Sequence, residues 1–367
     1  MPNLVHLVAA ARPNFMKIAP LYHALTREPW CEPVIVHTGQ HYDANMSEAF
    51  FRDLGLPPAH YNLEVGSGTH AEQTAGVMIA YEKLCISRRP DWVVVVGDVN
   101  STMACTLVAK KLNLCVAHLE AGLRSFDRSM PEEINRLVTD SLADLLWTPS
   151  PDADLNLERE GVSPERVVRV GNIMIDSFEM MRSGISSARM ADRLGLAAGS
   201  YGVVTIHRPV NVDDKEKLMA IVEQLVAIAM NIPLVFPVHP RTRDRLDRAG
   251  LLGQLEKVPA IHLLEPLGYL DFMSLLTDAA VAITDSGGIQ EETTYLSVPC
   301  MTLRKNTERP ITVTEGTNKL VKLDALMASV QSALSTPRSA RRRPALWDGE
   351  TAQRVVVSLR DACRKGA

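Results

Sequence analysis

Cysteine is sparse in this chain of 367 residues, with six scattered at positions 31, 85, 105, 115, 300 and 363 and no two of them separated by two residues. That spacing excludes a zinc knuckle and a thioredoxin-type pair and points to a reducing cytoplasm. An excess of one charge is lacking too. Lys and Arg number 39 against 43 Asp and Glu, a net charge of −4, so no global basic field draws nucleic acid or an anionic membrane, and a charged ligand needs a local site. Long apolar runs are absent. The first stretch, Asn3 to Arg12, has no basic leader and is interrupted by His6, so it reads as a strand rather than a signal or a span. Gly-x-Ser-x-Gly, His-Glu-x-x-His and the Walker loop are missing, which weighs against α/β-hydrolase, zincin and nucleotidase chemistry. Gly66-Ser67-Gly68-Thr69-His70-Ala71 fits the dinucleotide pattern Gly-x-Gly-x-x-Ala. The only strand candidate before it is Asn62 to Val65, whereas the fingerprint belongs to the first turn of a clear βαβ unit, so a nicotinamide site is rejected.

What is present is an ordinary globular composition, 46% apolar and 22% charged, at a length where one core usually divides into two domains. Strand-length apolar runs at 4–9, 33–37, 92–96 and 114–117 alternate with helical stretches such as 69–86 and 100–112. The rhythm restarts with strands at 201–206, 234–238, 260–264 and 279–284 and helices at 213–230 and 288–296. Alternation of this kind predicts parallel sheets covered on both faces. The expected organisation is a first domain over 1–169, a second over 170–349, hinged near Val170-Gly171-Asn172, and a closing C-terminal helix over 350–367 packing back on the first. The segment Ser335 to Arg343, with Pro337 and four arginines, reads as a solvated loop.

Ligands of doubly wound sheets gather at the carboxyl ends of strands. After the first strand, Arg12 and Lys17 flank Pro13 at a helix start and suit a phosphate or a carboxylate. After the third, Gly97-Asp98-Val99-Asn100-Ser101 places Asp98 as a base or as a helix N-cap. The next strand leads into His118-Leu119-Glu120-Ala121-Gly122-Leu123-Arg124, then Pro131-Glu132-Glu133 with Asn135-Arg136. Glu133 reads as a first-turn acid favoured by the helix dipole. Asp98, Glu120 and Glu132 put three carboxylates at a presumed cleft edge, where crowded like charges raise one another's pKa towards a useful acid or base. In the second half, His207-Arg208 at a strand exit suits a leaving-group diphosphate, and His239, in Val238-His239-Pro240-Arg241, repeats the idea more weakly. Thr284-Asp285-Ser286-Gly287-Gly288, followed by Ile289-Gln290-Glu291-Glu292, is a strand, a glycine turn and a helix. Its glycines and N-terminus suit phosphate, and a carboxylate one turn further suits ribose hydroxyls.

In this order and spacing, over roughly residues 4 to 310, these motifs resemble the non-hydrolysing UDP-N-acetylglucosamine 2-epimerases. The resemblance implies two Rossmann-like domains of the glycosyltransferase B type with parallel sheets facing across a cleft, a cytoplasmic homodimer, and no cofactor or metal. It also implies interconversion of UDP-GlcNAc and UDP-ManNAc by elimination of UDP to a 2-acetamidoglucal and re-addition with inversion at C2. Carried over by position, Asp98, Glu120 and Glu132 form the acid and base set and His207 meets the leaving group. Arg12 and Lys17 stand on the nucleotide side, with Arg136, Arg208 and His239 as further substrate contacts. Ser286, Gly287, Gly288 and Glu292 hold diphosphate and ribose, and Phe272 faces uracil. The chain reads His207-Arg208-Pro209-Val210-Asn211 where many members have Glu before Asn. A hydrolysing epimerase, a 2-epimerase of a diacetamido-uronate sugar, a glycosyltransferase and a non-catalytic sensor stay as alternatives. Several members also bind UDP-GlcNAc as an effector through Gln-His-x-Gln and an Arg before Gln-Thr. Here Asp43 follows Gln40-His41-Tyr42, and Glu72 precedes Gln73-Thr74, so two carboxylates would repel a second diphosphate at that place.

Overall fold

The computed structural model describes residues 2–39, 51–336 and 343–365. Residues 40–43 of the effector pattern and 337–342 of the arginine-rich segment lie outside them. Two all-parallel sheets dominate. The first joins β1 (Asn3–Ala9), β2 (Cys31–His37), β3 (Tyr61–Asn62), β4 (Trp92–Val96), β5 (Cys115–Leu119), β6 (Leu145–Thr148) and β7 (Val167–Arg169) in the order β3-β2-β1-β4-β5-β6-β7. Its centre is fully buried: Leu7 aligns with Ile35 on one side and Val94 on the other, and the valines of β4 are sealed from solvent. Only a strand covered on both faces tolerates four consecutive valines.

The second sheet joins β8 (Gly202–Thr205), β9 (Leu234–Pro237), β10 (Ile261–Leu264), β11 (Val281–Thr284), β12 (Cys300–Thr302) and β13 (Asn318–Leu320) in the order β10-β9-β8-β11-β12-β13. Both orders reverse direction once, at β1/β4 and at β8/β11. Each reversal leaves a crevice at the carboxyl ends of two neighbouring strands, where the crossovers diverge. Among the described residues no helix is long and apolar enough to cross a membrane.

The chain divides into two compact units, Met1–Met181 with Ala345–Ala367, and Arg182–Pro344. The division falls at 181/182 instead of 169/170 because the first turns of the helix Ile173–Ala188 are tied into the first unit. Ser177 Oγ donates to Met16 O at 2.6 Å, and Asp176 Oδ1 accepts from Ala352 N at 2.7 Å. That second bond starts the C-terminal helix Thr351–Lys365, which buries Val355, Val356 and Leu359 in the same unit. Trp147 Nε1 donates to Ser358 Oγ at 3.0 Å. Gly171 (φ 97°) passes so close to Leu346 that a Cβ would lie 2.1 Å from its carbonyl oxygen, which only glycine permits. The short strands β6, β12 and β13 are not among the runs read from sequence.

Burial pushes the Asp176 carboxyl up to about 6, against the opposing pull of the Ala352 and Thr351 groups. An acid raised in the folded state contributes most below its unfolded value and loses that contribution as pH climbs through about 6. Urea denaturation should therefore show stability falling by about 2 kcal/mol between pH 4 and pH 7.5. Asp176→Asn, which keeps the acceptor for Ala352, should flatten that slope. An unchanged slope would assign it to other groups.

Candidate active site

At the β1/β4 crevice, β1 ends in two alanines and turns into the helix Arg12–Leu25, opened by Pro13. Asn14 staples the two strand exits together: its Oδ1 accepts from Ala11 N and its Nδ2 donates to Val96 O, both at 3.1 Å. Arg12 stays exposed at the helix start, whereas Lys17, a turn further in, is 9% exposed and reaches Glu120 Oε2 at 2.5 Å. β4 leaves the sheet through Gly97 at φ 67°. A Cβ there would sit 3.1 Å from Lys17 Nζ and 3.8 Å from Glu120 Oε2, so the glycine is the floor under the ion pair. Glu120 itself has φ 72°, a left-handed conformation costing a non-glycine residue about 1 kcal/mol. It is held by Glu120 N and Ala121 N, which both donate to Trp147 O. Glu120 Oε1 is buried and has no hydrogen-bond partner among the described residues.

Asp98 is half-buried and does not cap the helix Asn100–Lys111, whose N-cap is Val99. Its carboxylate pairs with Arg136 Nε at 3.2 Å, and its carbonyl accepts from Asn135 Nδ2 at 2.9 Å. Arg136 is buried between Asp98 and Glu133, which it meets at 3.0 Å, so here it clamps carboxylates. Glu133 is not a solvated first-turn acid. It is 2% exposed and accepts from Ser125 N, Ser125 Oγ and Phe126 N at 2.9 to 3.0 Å, gripping the loop before its own helix, Pro131–Leu142. Glu132 lies in the first turn of that helix, half-buried and without a hydrogen bond or ion pair among the described residues. Two of the three carboxylates thus face a cation instead of standing as bare like charges.

Behind them runs a largely buried chain of polar side chains. His118, inside β5, meets Gly97 O through Nε2 at 2.8 Å and Asp140 Oδ1 through Nδ1 at 2.6 Å. Asp140 Oδ2 accepts from Gly122 N at 3.0 Å and pairs with Arg124 at 2.7 Å, and Arg124 forks onto Glu160 at 2.8 and 2.6 Å. Burial raises the Asp140 carboxyl, but His118, Arg124 and the Gly122 amide more than offset it and hold it below the ordinary carboxylate value. Glu72 is taken up locally: its carboxylate accepts from Thr69 N at 2.8 Å and its own N–H donates to Thr69 Oγ1, a capping box for the helix His70–Ser87.

In the second unit the β8/β11 crevice is organised by Asp285, a fully buried carboxylate. It accepts from His207 N, Arg208 N and Asn211 Nδ2 at 2.9 to 3.2 Å, and His207 Nδ1 lies 3.2 Å from it. Desolvation lowers the His207 pKa, aided by His239 and Arg208 and opposed by Asp285. The two imidazole rings stand 5.6 Å apart. His239 is exposed and serves as an N-cap, its Nδ1 accepting from Arg241 N at 3.2 Å, so Nε2 carries the ring proton when neutral. Ser286 precedes the helix Gly287–Leu296, whose N-terminus has no side-chain cap and whose Gly288 faces open space. N–H groups at an uncapped helix start suit an anion. A Cβ at Gly287 would lie 2.8 Å from Glu308 Oε1 and 2.9 Å from Arg309 Nη1, so those two side chains would have to shift for any other residue.

Around that turn Arg309 pairs with Glu291 at 2.8 Å and with Glu308 at 2.5 Å, and Arg304 pairs with Glu308 at 2.7 Å. None of these residues except Glu291 belongs to a motif read from sequence. One turn on, burial pushes Glu292 up to about 8, with the Tyr269 hydroxyl pulling it down and Glu291 adding to the rise. Phe272 sits half-buried in the helix Tyr269–Asp278.

The family profile described as UDP-N-acetylglucosamine 2-epimerase matches residues 23–360. A Methanocaldococcus jannaschii protein named UDP-N-acetylglucosamine 2-epimerase is 41% identical over 369 residues, covering 96% of this chain and 98% of the relative. A Pseudomonas aeruginosa UDP-2,3-diacetamido-2,3-dideoxy-D-glucuronate 2-epimerase is 40% identical over 333 residues, covering 89% of this chain and 91% of the relative. Among solved structures, the M. jannaschii UDP-GlcNAc 2-epimerase in complex with UDP-GlcNAc and UDP superposes with TM-score 0.86 at 40% identity, over 97% of this chain and 99% of that one.

Replacing Lys17 by Met strands Glu120 as a buried charge without its counter-ion, an expected loss of about 3 kcal/mol. Adding Glu120→Gln should return at least about 1 kcal/mol. Chemical denaturation of the four proteins in this cycle measures both, and strictly additive losses would show the pair to be uncoupled.

Proposed function

The chain belongs to the UDP-N-acetylglucosamine 2-epimerase family, and from that premise we propose that it interconverts UDP-GlcNAc and UDP-ManNAc as a cytoplasmic homodimer without a redox cofactor. Similarity to epimerases over nearly the whole length carries this reading. The six cysteines, all free, suit a reducing cytoplasm.

In the proposed reaction a carboxylate removes the C2 proton, the C2–H electron pair becomes the C1=C2 bond, and the C1–O bond breaks to release UDP. The 2-acetamidoglucal then takes UDP back at C1 while an acid delivers a proton to the opposite face of C2. Asp98, Glu120 and Glu132 form the proton-transfer set, because inversion requires groups on both faces. Glu120 is well suited. Its Oε1 is buried and without a hydrogen-bond partner among the described residues, while Lys17 pairs with Oε2. Lys17 and Arg12 also favour the nucleotide side, and Arg136 keeps Asp98 oriented. Departing UDP develops charge at its diphosphate, where His207, Arg208, His239, the Ser286 hydroxyl and the N–H groups of Gly287 and Gly288 supply compensation. Glu292 receives ribose hydroxyls and Phe272 the uracil face.

Incubation with UDP-GlcNAc alone, followed by NMR in D2O, should yield UDP-ManNAc with deuterium at C2. Free sugar accumulating with UDP would instead support a hydrolysing epimerase, and an inert donor a glycosyltransferase or a sensor. Asp98→Asn, Glu120→Gln and Glu132→Gln should each lower turnover by roughly 100-fold or more while UDP still binds.

The similarity to the diacetamido-glucuronate epimerase makes that sugar the second reading. The ratio of kcat/KM for the two donors decides between them. A carboxyl raised to about 8 is neutral at pH 7. Accepting two hydroxyl hydrogen bonds as a carboxylate then requires Glu292 to lose its proton. Calorimetry of UDP binding in buffers of different ionisation enthalpy should find nearly one proton released at pH 7, fading above pH 8 and absent in Glu292→Gln. No release from the wild type would remove Glu292 from the ribose contact.

A further inference from the structure

The carboxylates assigned to proton transfer sit on three separate backbone segments: Asp98 follows β4, Glu120 follows β5, and Glu132 opens the helix Pro131–Leu142. Asp140 and His118 together link all three. Asp140 belongs to the same helix as Glu132, so its position is tied to that acid through two turns of rigid backbone. Its Oδ2 accepts from Gly122 N at 3.0 Å, two residues beyond Glu120. Its Oδ1 meets His118 Nδ1 at 2.6 Å, and His118 Nε2 reaches Gly97 O at 2.8 Å, one residue before Asp98.

The chemistry of the partners fixes the direction of these bonds. A carbonyl oxygen only accepts, so Nε2 donates to Gly97. Asp140 already gathers the Gly122 amide and the Arg124 guanidinium, as an ionised carboxylate does, so Nδ1 donates as well. Arg124 in turn joins Asp140 to Glu160, which extends the same network behind the crevice. Both tethered segments use left-handed backbone, at Gly97 (φ 67°), Glu120 (φ 72°) and Gly122 (φ 79°). At Glu120, the one non-glycine of the three, such a turn persists only where its surroundings over-determine it.

We propose that Asp140 and His118 are positioning residues for the epimerisation, holding in register the three segments that carry Asp98, Glu120 and Glu132. The proposal rests on the reading of function given above. His118 is completely buried, so its effect is on geometry, and a reacting group displaced by about 1 Å can lose roughly 100-fold in rate.

The test uses the full chain and three substitutions of similar size. Asp140→Asn can serve Gly122 or His118 with its single carbonyl, but not both. His118→Asn keeps a donor towards Asp140 and falls short of Gly97. His118→Gln reaches Gly97 and gives up Asp140. With folding checked by circular dichroism and sites counted by UDP titration, Asp140→Asn and His118→Asn should lose at least about 10-fold in kcat per UDP-binding site. KM for UDP-GlcNAc and the Kd for UDP should stay within about 3-fold. His118→Gln should recover at least about 3-fold in kcat over His118→Asn, because it restores the bond to the Asp98 segment.

Folded Asp140→Asn with wild-type kcat overturns the proposal. So does a loss seen only in KM or in the number of binding sites, and so does failure of all three variants to fold, which would make the network structural. A wild-type chain inert on UDP-GlcNAc overturns the functional reading and this role with it. An active wild type with unaffected variants overturns the positioning role alone.

Discussion

A parallel sheet buried on both faces can bring polar groups to a site only where its strands end. In the first unit this constraint concentrates Asn14, Lys17, Gly97, Asp98 and Glu120 at the exits of β1, β4 and β5. In the second it brings His207, Arg208, Asp285 and Ser286 to the exits of β8 and β11. The chain must reverse sharply at those exits, and left-handed residues cluster there in the first unit. Gly97 serves twice: its backbone makes the turn, and its missing side chain makes room for the Lys17–Glu120 pair.

Charge at these edges is taken out of water and must be matched inside the protein. Lys17 answers Glu120, Arg136 answers both Asp98 and Glu133, and Asp285 is answered by backbone amides and an amide side chain in place of a cation. Glu120 is the incomplete member, with one oxygen saturated and the other buried without a bond. In the reaction proposed above, that unbonded oxygen is the one available to a proton.

Much of the architecture was legible in local pattern. The valine run of β4 is found as read, at 92–96, and the helices at His70–Ser87 and Asn100–Lys111 lie within about a residue of the stretches of helical length read between the strands. Strands of three or four residues such as β6, β12 and β13 contain too few positions to show a period. The 181/182 boundary was hidden because it depends on Ser177 meeting Met16, 161 residues away in the chain. Glu133 looked like an ordinary helix-start acid because its partners, Ser125 and Phe126, belong to a loop whose path no local signal reveals. Asp140 carried no signal at all, since its importance comes entirely from Gly122, Arg124 and His118 lying around it in space.

The capping of the C-terminal helix by Asp176 bears on the order in which the protein can be made. The second unit is one uninterrupted stretch, Arg182–Pro344, and has its own core. The first lacks Trp347, Val355, Val356 and Leu359 until the last residues are synthesised. On a ribosome, where domains generally fold as units while the chain lengthens, the unit that begins first is therefore the one completed last. Until then the aliphatic surface of the helix Arg12–Leu25, against which the final helix packs, stays open to water. A nascent chain of this protein thus leaves that surface uncovered throughout synthesis of the whole second unit, which gives a chaperone time to find it.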